Sequence, residues 1–145
     1  MKGSQPGEQF IIHGRGSEQL RLMSEWWEAT VLRSILDDWT AMRVDLCLTE
    51  AVANVLEHGY GEEGTVPWIR ISLGAESAGV RILVEDHAPL YDPLQRGPKN
   101  LNEDLQQATI GGRGILLMRR YANELGYRRK GDRNCLSMLV KPNVG

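Results

Sequence analysis

The residues best suited to do chemistry lie in one stretch of the chain, from Leu48 to Tyr60. Glu50 and Asn54 are four residues apart in it, which places them on one face of a helix and about 6 Å apart along its axis. Asn54 could offer a hard oxygen to Mg2+, and Glu50 could take a proton from an attacking hydroxyl group. The alternative is that both residues lie on the solvated side of an amphipathic helix, as most Glu and Asn residues on helices do.

The glycine cluster Gly111-Gly112-Arg113-Gly114 is a second candidate, because the pattern that follows it is helical. Backbone N–H groups without helical partners, together with the positive end of the helix dipole, favour a bound phosphate at such a place. Three glycines before a helix can also simply make a tight turn, and both interpretations stay open. The cluster is neither a P-loop, which needs a following Gly-Lys-Ser/Thr, nor a Rossmann turn, which needs a preceding strand of a βαβ unit.

Asp86 is a third candidate, because it ends an alternating segment that reads as a strand. Its carboxylate can emerge at the sheet edge and accept a hydrogen bond from an amine such as the exocyclic NH2 of adenine. Alternatively, Asp86 starts a turn with Pro89, which is an ordinary use of aspartate. Considered by itself, this residue favours the turn.

Residues 87–109 show no regular pattern and are interrupted by prolines and a glycine. A loop of more than about 15 residues inside a compact domain is usually functional or disordered. Because this segment directly precedes the glycine cluster, it could fold over a bound ligand as a lid.

Helices and strands must position these groups. We predict a first strand over residues 9–13, a long helix from an N-cap at Ser17 to about Asp37, and a second helix from about Ala41 to His58 with Thr40 as its cap. An apolar stripe marks the buried face of that second helix; it comprises Val44, Leu48, Ala51, Val52 and Val55.

The rest of the chain reads as sheet with one more helix. Alternation predicts strands over 66–73 and 79–86 joined by the segment 74–79, then a helix over 110–125, then strands over about 125–129 and 134–140 joined by a turn. We therefore expect an α+β fold, with helices on one face of a mostly antiparallel, mixed sheet.

The whole chain of 145 residues has the length of one domain, and we treat 1–145 as such, with residues 1–8 as a loose terminus. A net charge of -2, with both signs interspersed, argues against a nucleic-acid partner. The spacing of Cys47 and Cys135 favours two buried thiols over a zinc site or a disulfide framework. Neither an export signal nor a membrane span is indicated, so we expect a cytoplasmic protein.

Three motifs in order resemble the nucleotide-binding boxes of the GHKL ATPase superfamily, most closely those of its anti-sigma-factor serine kinases. They are Glu50-xxx-Asn54-xxx-His58, Asp86-His-Ala-Pro-Leu-Tyr-Asp-Pro93 and Gly111-Gly-Arg-Gly114-Ile-Leu-Leu-Met. The resemblance covers the chain from about Phe10 to Val140. It implies a Bergerat-type two-layer α/β sandwich with an ATP lid loop.

The resemblance also implies an activity. Such proteins bind ATP with Mg2+, phosphorylate a serine on a small anti-anti-sigma partner of the STAS type, and sequester a sigma factor when that partner is modified. Homodimers are common among them.

Roles follow from the matching motif positions. Glu50 resembles the base or polarising residue, Asn54 the Mg2+ ligand, and Asp86 the aspartate that recognises adenine. Gly111, Gly112 and Gly114 match the phosphate-facing glycines. Three cations are candidates to meet phosphate charge: Arg96, Lys99 and Arg113.

Ala88 departs from the family pattern, which usually has glycine two residues after the adenine-recognising aspartate; Leu90 stands where a small residue or proline is common. If the backbone at Ala88 needs a positive φ, alanine costs roughly 1 kcal/mol or more, or about a fivefold loss in nucleotide affinity.

A rival hypothesis is a non-enzymatic partner-switching domain of the same fold, which binds a sigma or anti-anti-sigma factor without phosphate transfer. Trp26 and Trp27 adjoin on one helix and cannot both face the same core, so either one is exposed at an interface or the helix is packed on both sides. A sensor histidine kinase is not expected, because the residues before the second helix are too few for its dimerisation segment. A gyrase-like ATPase is not expected either, because such proteins carry further domains.

Overall fold

The computed structural model describes residues 8–60, 66–76, 79–95 and 110–142, with side chains from residue 114 onward in the last range. Five strands form one sheet in the order β1-β2-β3-β5-β4, and all four described pairings are antiparallel. The strands are β1 Glu8–His13, β2 Trp68–Glu76, β3 Gly79–Asp86, β4 Glu124–Lys130 and β5 Arg133–Val140. The α+β fold with an antiparallel sheet is confirmed, although the described strands include no parallel pair.

The described residues contain four α-helices: α1 Ser17–Ala29, α2 Val31–Ile35, α3 Asp38–Asn54 and α4 Ile110–Tyr121. A π-helical turn, Val55–Gly59, continues α3, and a short 3-10 turn, Pro93–Gln95, follows β3 in the chain. Among the described residues, no helix combines the length and hydrophobicity that a bilayer crossing requires.

The sheet has one face packed against the helices and one outer face, because side chains alternate along each strand. The helix face carries Ile69, Ile71, Leu73, Val80, Ile82, Val84, Leu136, Met138 and Val140, which are buried in one cluster with the apolar stripe of α3. The outer face carries Arg70, Glu85 and Cys135. Both cysteines are buried free thiols, as predicted.

Thr30 divides the long helix that the sequence predicts into α1 and α2, so the prediction of one continuous helix to Asp37 was wrong. Its backbone is extended, with ψ of 152°. Its hydroxyl donates to Trp27 O at 2.8 Å and accepts from Arg33 N at 3.1 Å, which ends one helix and caps the next. The N-cap of α1 is Gly16, with φ of 109°, and not Ser17.

Asp37, not Thr40, caps α3. Its Oδ1 accepts from Thr40 N, and its Oδ2 accepts from Thr40 Oγ1, each at 2.8 Å. The pKa of Asp37 is lowered by these two hydrogen bonds from Thr40. The helix therefore starts at Asp38, about one turn earlier than predicted, and remains helical to Gly59, as expected.

The remaining boundaries shift by a few residues. The β2–β3 hairpin is tighter than expected, since Glu76 pairs with Gly79. A side chain on Gly79 would place its Cβ 2.1 Å from Val140 O, so only glycine fits there. Helix α4 ends at Tyr121 rather than near residue 125. Glu8 belongs to β1, and residues 1–7 of the predicted loose terminus lie outside the described residues.

Arg43 joins the C-terminal end of α4 to α3. Its buried guanidinium donates from Nε and Nη2 to Tyr121 O, at 3.2 and 3.0 Å, and from Nη1 to Lys141 O at 2.7 Å. The bonds to Tyr121 O satisfy a backbone carbonyl at the end of α4, where the last carbonyls lack partners within the helix. Helix α4 is thereby held alongside α3.

The two adjacent tryptophans of α1 both pack against the core, to different depths. Trp27 is buried in the core, while Trp26 is partly buried and stacks on Phe10 with ring centroids 5.4 Å apart. The structure thus favours packing of both tryptophans against the core over a tryptophan exposed at an interface.

Candidate functional site

The ends of α3 and β3 meet at a small cavity on the helix face of the sheet. Asn54 closes α3 and Asp86 closes β3, and both line this cavity of about 10 Å3. The other lining residues come from the π turn, from strands β4 and β5 and from the segment after β3; they include Val55, Tyr91, Pro93, Tyr127, Asn134 and Leu136. Two of the three predicted motifs therefore converge.

Asn54 is not on a solvated face. Its side chain is buried, with 6% of the residue exposed, and its Oδ1 accepts a hydrogen bond from Tyr91 Oη at 2.7 Å. The π-helical turn begins directly after it, and such turns occur frequently at functional sites. The interpretation of Asn54 as an ordinary surface residue is wrong.

Glu50 of α3 lies beside the last glycine of the glycine cluster. A Cβ built on Gly114 would lie only 2.7 Å from Glu50 Oε1, so the carboxylate rests against the backbone of α4 where no side chain intervenes. Burial, and secondarily the nearby charge of Glu57, raise the pKa of Glu50. A partly buried carboxylate with a raised pKa is a stronger proton acceptor than a solvated one, as a general base requires.

The glycine cluster lies within α4, whose described part begins at Ile110, and not before the helix. The first four N–H groups of an α-helix have no partner within the helix, which is the property that a phosphate site at this cluster requires. The Arg113 side chain lies outside the described part of the chain, as do Arg96 and Lys99 with the 96–109 part of the predicted lid.

Asp86 makes the predicted turn and also lines the cavity. Its Oδ1 accepts from Ala88 N at 2.8 Å, an aspartate turn of the ordinary kind, and from Asn134 Nδ2 at 2.9 Å. Burial raises the pKa of Asp86, against the effect of these hydrogen bonds. The two interpretations of Asp86 are compatible in this geometry.

Ala88 carries no backbone strain. None of the described non-glycine residues has a positive φ, so the penalty that a left-handed conformation would impose does not arise. Ala88 is buried, and its carbonyl accepts from Arg129 Nη1 at 2.9 Å and from Asn134 Nδ2 at 3.2 Å.

Asn134 is the residue that sequence reasoning missed. Besides Asp86, its Nδ2 donates to the carbonyls of Ala88 and Pro89, and its Oδ1 accepts from the backbone N of Tyr91 and the hydroxyl of Tyr127. It therefore fixes the start of the segment after β3. A signal was present, because Asn134 is the one polar member of the alternating buried series of β5 that continues with Leu136, Met138 and Val140.

A metal ion would find few protein ligands here. Among the described residues, no group of three or more His, Cys, Asp or Glu side chains could hold one. Mg2+ is often bound by one or two protein oxygens together with substrate phosphates and water, so a buried Asn54 oxygen fits that pattern of ligation.

Comparisons with known proteins identify the family of the chain. Residues 16–140 match the family described as histidine kinase-like ATPase domain. The serine/threonine-protein kinase BtrW of Bordetella bronchiseptica is 31% identical over 116 residues, which cover 78% of this chain and 79% of that protein.

Two solved structures are similar as well. The Acinetobacter baumannii histidine kinase AdeS gives a TM-score of 0.50 at 12% identity, over 97% of this chain and 70% of that chain, which supports the fold. The histidine kinase domain from the Erythrobacter litoralis EL346 blue-light activated histidine kinase gives 0.46 at 21% identity, over 70% of this chain and 44% of that one. Because the family match spans residues 16–140 and the relative from Bordetella bronchiseptica is 31% identical, the chain belongs to the histidine kinase-like ATPase domain family. The membership that its three motifs predicted is confirmed.

Proposed function

We propose that this protein is a serine/threonine kinase that uses ATP with Mg2+ to phosphorylate a small anti-anti-sigma partner of the STAS type, and so controls a sigma factor. The observation that carries the proposal is the position of Glu50 Oε1, which lies 2.7 Å from where a Cβ on Gly114 would be and so places a carboxylate beside the glycine-rich part of α4. The kinase name of the relative from Bordetella bronchiseptica supports the same activity.

Each motif has a task in this proposal. Asp86 accepts from the adenine amine, and the first N–H groups of α4 bind phosphate oxygens. Asn54 offers its amide oxygen to Mg2+, which neutralises phosphate charge when bound. Catalysis is then mainly positioning and electrostatic stabilisation.

Glu50 acts as the general base that accepts the hydroxyl proton. The hydroxyl oxygen of the partner's serine or threonine forms a new bond to the γ-phosphorus, the bond from that phosphorus to the β,γ-bridging oxygen breaks, and ADP leaves with that oxygen. The hydroxyl proton goes to the Glu50 carboxylate, whose pKa burial has raised. General-base assistance of this kind is worth roughly 10^2- to 10^4-fold in rate.

The test is Glu50→Gln, assayed with Mg-ATP and a small STAS-type protein encoded beside this chain's gene. The wild type is expected to add one phosphoryl group to that partner, seen in its intact mass. The variant should lose about 10^2- to 10^4-fold in transfer rate and still be stabilised thermally by Mg-ATP, because the carboxamide removes the base and not the nucleotide contacts.

The alternative, a partner-switching module without catalysis, predicts a different pattern. The wild-type protein would bind its partner, its melting temperature would not respond to Mg-ATP, and Glu50→Gln would change neither property. The cavity of only about 10 Å3 is the observation that favours this alternative.

Homodimer formation remains part of either proposal and is tested by sedimentation of the purified chain.

A further inference from the structure

The segment of residues 87–95, here called the 87–95 loop, forms one wall of the site. Tyr91 and Pro93 of this loop line the cavity together with Asn54 and Asp86. The opposite walls belong to α3, the π turn and the sheet, which are parts of the packed core. The loop is therefore the wall of the cavity that lies outside the main helices and the sheet.

The cavity is too small for a nucleotide base. Its volume of about 10 Å3 is near the minimum that holds a single water molecule, whereas ligand sites commonly have roughly 300 Å3 or more. In this conformation the side chains that would contact the nucleotide are bonded to one another and to the loop.

Tyr91 makes the contact that matters most for Asn54. Its phenol donates to Asn54 Oδ1 at 2.7 Å, its backbone N donates to Asn134 Oδ1 at 3.3 Å, and its ring stacks on His58 with centroids 6.2 Å apart. The amide oxygen assigned to Mg2+ is thus already accepting a hydrogen bond from a residue of the same chain.

The far end of the loop is also held. Arg119 of α4 donates from Nη2 to Leu94 O at 2.7 Å, and its Nε is buried without a partner among the described residues. Leu94 and Gln95 in turn bond to Asp92, through its Oδ1 and its carbonyl respectively. Hydrogen bonds thus hold the loop over the site along its length, with Tyr91 at its centre.

We propose that the hydrogen bond from Tyr91 to Asn54 is an autoinhibitory contact, which holds the 87–95 loop over the nucleotide site and must break before Mg-ATP binds. This inference rests on the proposed function. A site that is open only part of the time binds with an apparent Kd equal to the intrinsic Kd divided by the open fraction. Weakening the closed state therefore tightens apparent binding.

The test is Tyr91→Phe, which keeps the ring and removes the hydroxyl. One hydrogen bond of ordinary strength corresponds to about two- to tenfold in an equilibrium, so calorimetry with Mg-ATP should show Kd lowered by about that factor. Without ligand, the variant should melt a few degrees below wild type, about 2 to 4 °C.

Tyr121→Phe is the matched control. Tyr121 lies at the end of α4, and its hydroxyl makes no hydrogen bond within the described residues, where its ring meets Trp39 edge-on. The same chemical change there is expected to leave the affinity for Mg-ATP within twofold of wild type.

The outcomes separate the inference from the function beneath it. Tighter binding by Tyr91→Phe alone supports the autoinhibitory contact. If wild type binds Mg-ATP and Tyr91→Phe binds equally or more weakly, the hydroxyl does not oppose binding; the inference fails and the kinase proposal stands. If neither protein binds Mg-ATP, the proposed function fails and the inference fails with it.

Discussion

Glu85 and Asp86 are consecutive residues at the end of β3, and their carboxylates lie in opposite surroundings. Glu85 is on the outer face, where Arg70 Nη2 lies 2.8 Å from its Oε1 and Arg133 Nη1 lies 3.4 Å from its Oε2. Asp86 is on the helix face, where its hydrogen-bond donors are the neutral Asn134 amide and a backbone N–H. Both residues are buried, with 7% and 3% exposed.

The contrast distinguishes a structural carboxylate from one available to a ligand. Two guanidinium groups neutralise Glu85, so an incoming ligand would find its charge already compensated. Asp86 keeps a charge that burial opposes, and a raised pKa is the result. Perturbed groups of that kind concentrate at functional sites.

One glycine from each side of the sheet also differs in its surroundings, because only the one on the helix side lies against a carboxylate. Gly114, on the helix side, has Glu50 Oε1 where its Cβ would be, at 2.7 Å. Gly126 lines a pocket on the outer face, and a Cβ there would meet no heavy atom within 4 Å. Among these four residues, function is expected to depend on the helix-face pair.

Among these four residues, the largest effect is expected from Asp86→Asn. The amide oxygen can still accept from Ala88 and Asn134, but the charge that would meet the adenine amine is lost. A hydrogen bond to a charged group is worth about 1.5–3 kcal/mol, so calorimetry should show a Kd for Mg-ATP weaker by about 10- to 100-fold. Glu85→Gln is the matched control and should stay within twofold of wild type; equal losses in both would remove the distinction between the faces.

A smaller effect is expected from Gly114→Ala. The new methyl group must displace the Glu50 carboxylate, a flexible side-chain end, so the fold should tolerate it while the base is moved. Phosphate transfer should fall about tenfold, less than on removing the base entirely. Helix propensity favours alanine, so the melting temperature should not fall.

Gly126→Ala provides the comparison on the outer face. It should leave the transfer rate unchanged, since the site has room for a methyl group and lies across the sheet from Glu50. A comparable loss of transfer from both alanine variants would mean that the contact between Glu50 and α4 has no catalytic importance.

The smallest effects concern stability without ligand. Glu85→Gln weakens two partly exposed ion pairs and should lower the free energy of unfolding by about 0.5–1 kcal/mol in urea at pH 7. Asp86→Asn should be as stable as wild type at pH 7 or more so. Folding raises the pKa of Asp86, so its favourable contribution is present below the unfolded pKa and is lost as pH rises through the folded value.

The difference in unfolding free energy between Asp86→Asn and the wild type should depend on pH in one direction. Any stability advantage of Asp86→Asn over wild type should shrink as the pH is lowered, because protonation makes the native carboxyl neutral and removes the cost of burying its charge. An advantage that grows on acidification would contradict the assignment of Asp86 as a buried carboxylate among neutral donors.

Much of this fold was predictable because hydrophobic periodicity reports which faces are buried. The apolar stripe of α3 and the alternation of β3 were recovered, β3 to the residue. The errors were at Thr30 and Asp37, where a side-chain hydroxyl or carboxylate bonds local backbone groups. Periodicity does not report such local bonds, and helix boundaries were therefore misplaced.

The candidate site was predictable only in part. The spacing of Glu50 and Asn54 placed them on α3, and Asp86 was expected at a strand end. The roles of Asn134 and Tyr91 were missed. Asn134 reaches Asp86 through the pairing of two strands, across 48 residues of sequence, and Tyr91 reaches Asn54 through the path of a loop. Local pattern reasoning has no access to contacts of that range.

The amino-acid sequence by itself determined the α+β class, the buried faces of the elements and, through three ordered motifs, the family. Those properties depend on local spacing, since a helix repeats every 3.6 residues and a strand every two. Tertiary structure alone decided that Glu50 touches the backbone at Gly114, that Asp86 and not Glu85 lines the cavity, and that Tyr91 occupies the Asn54 oxygen. Each of these joins residues distant in the chain, and only packing of the helices and the loop against the sheet brings them together.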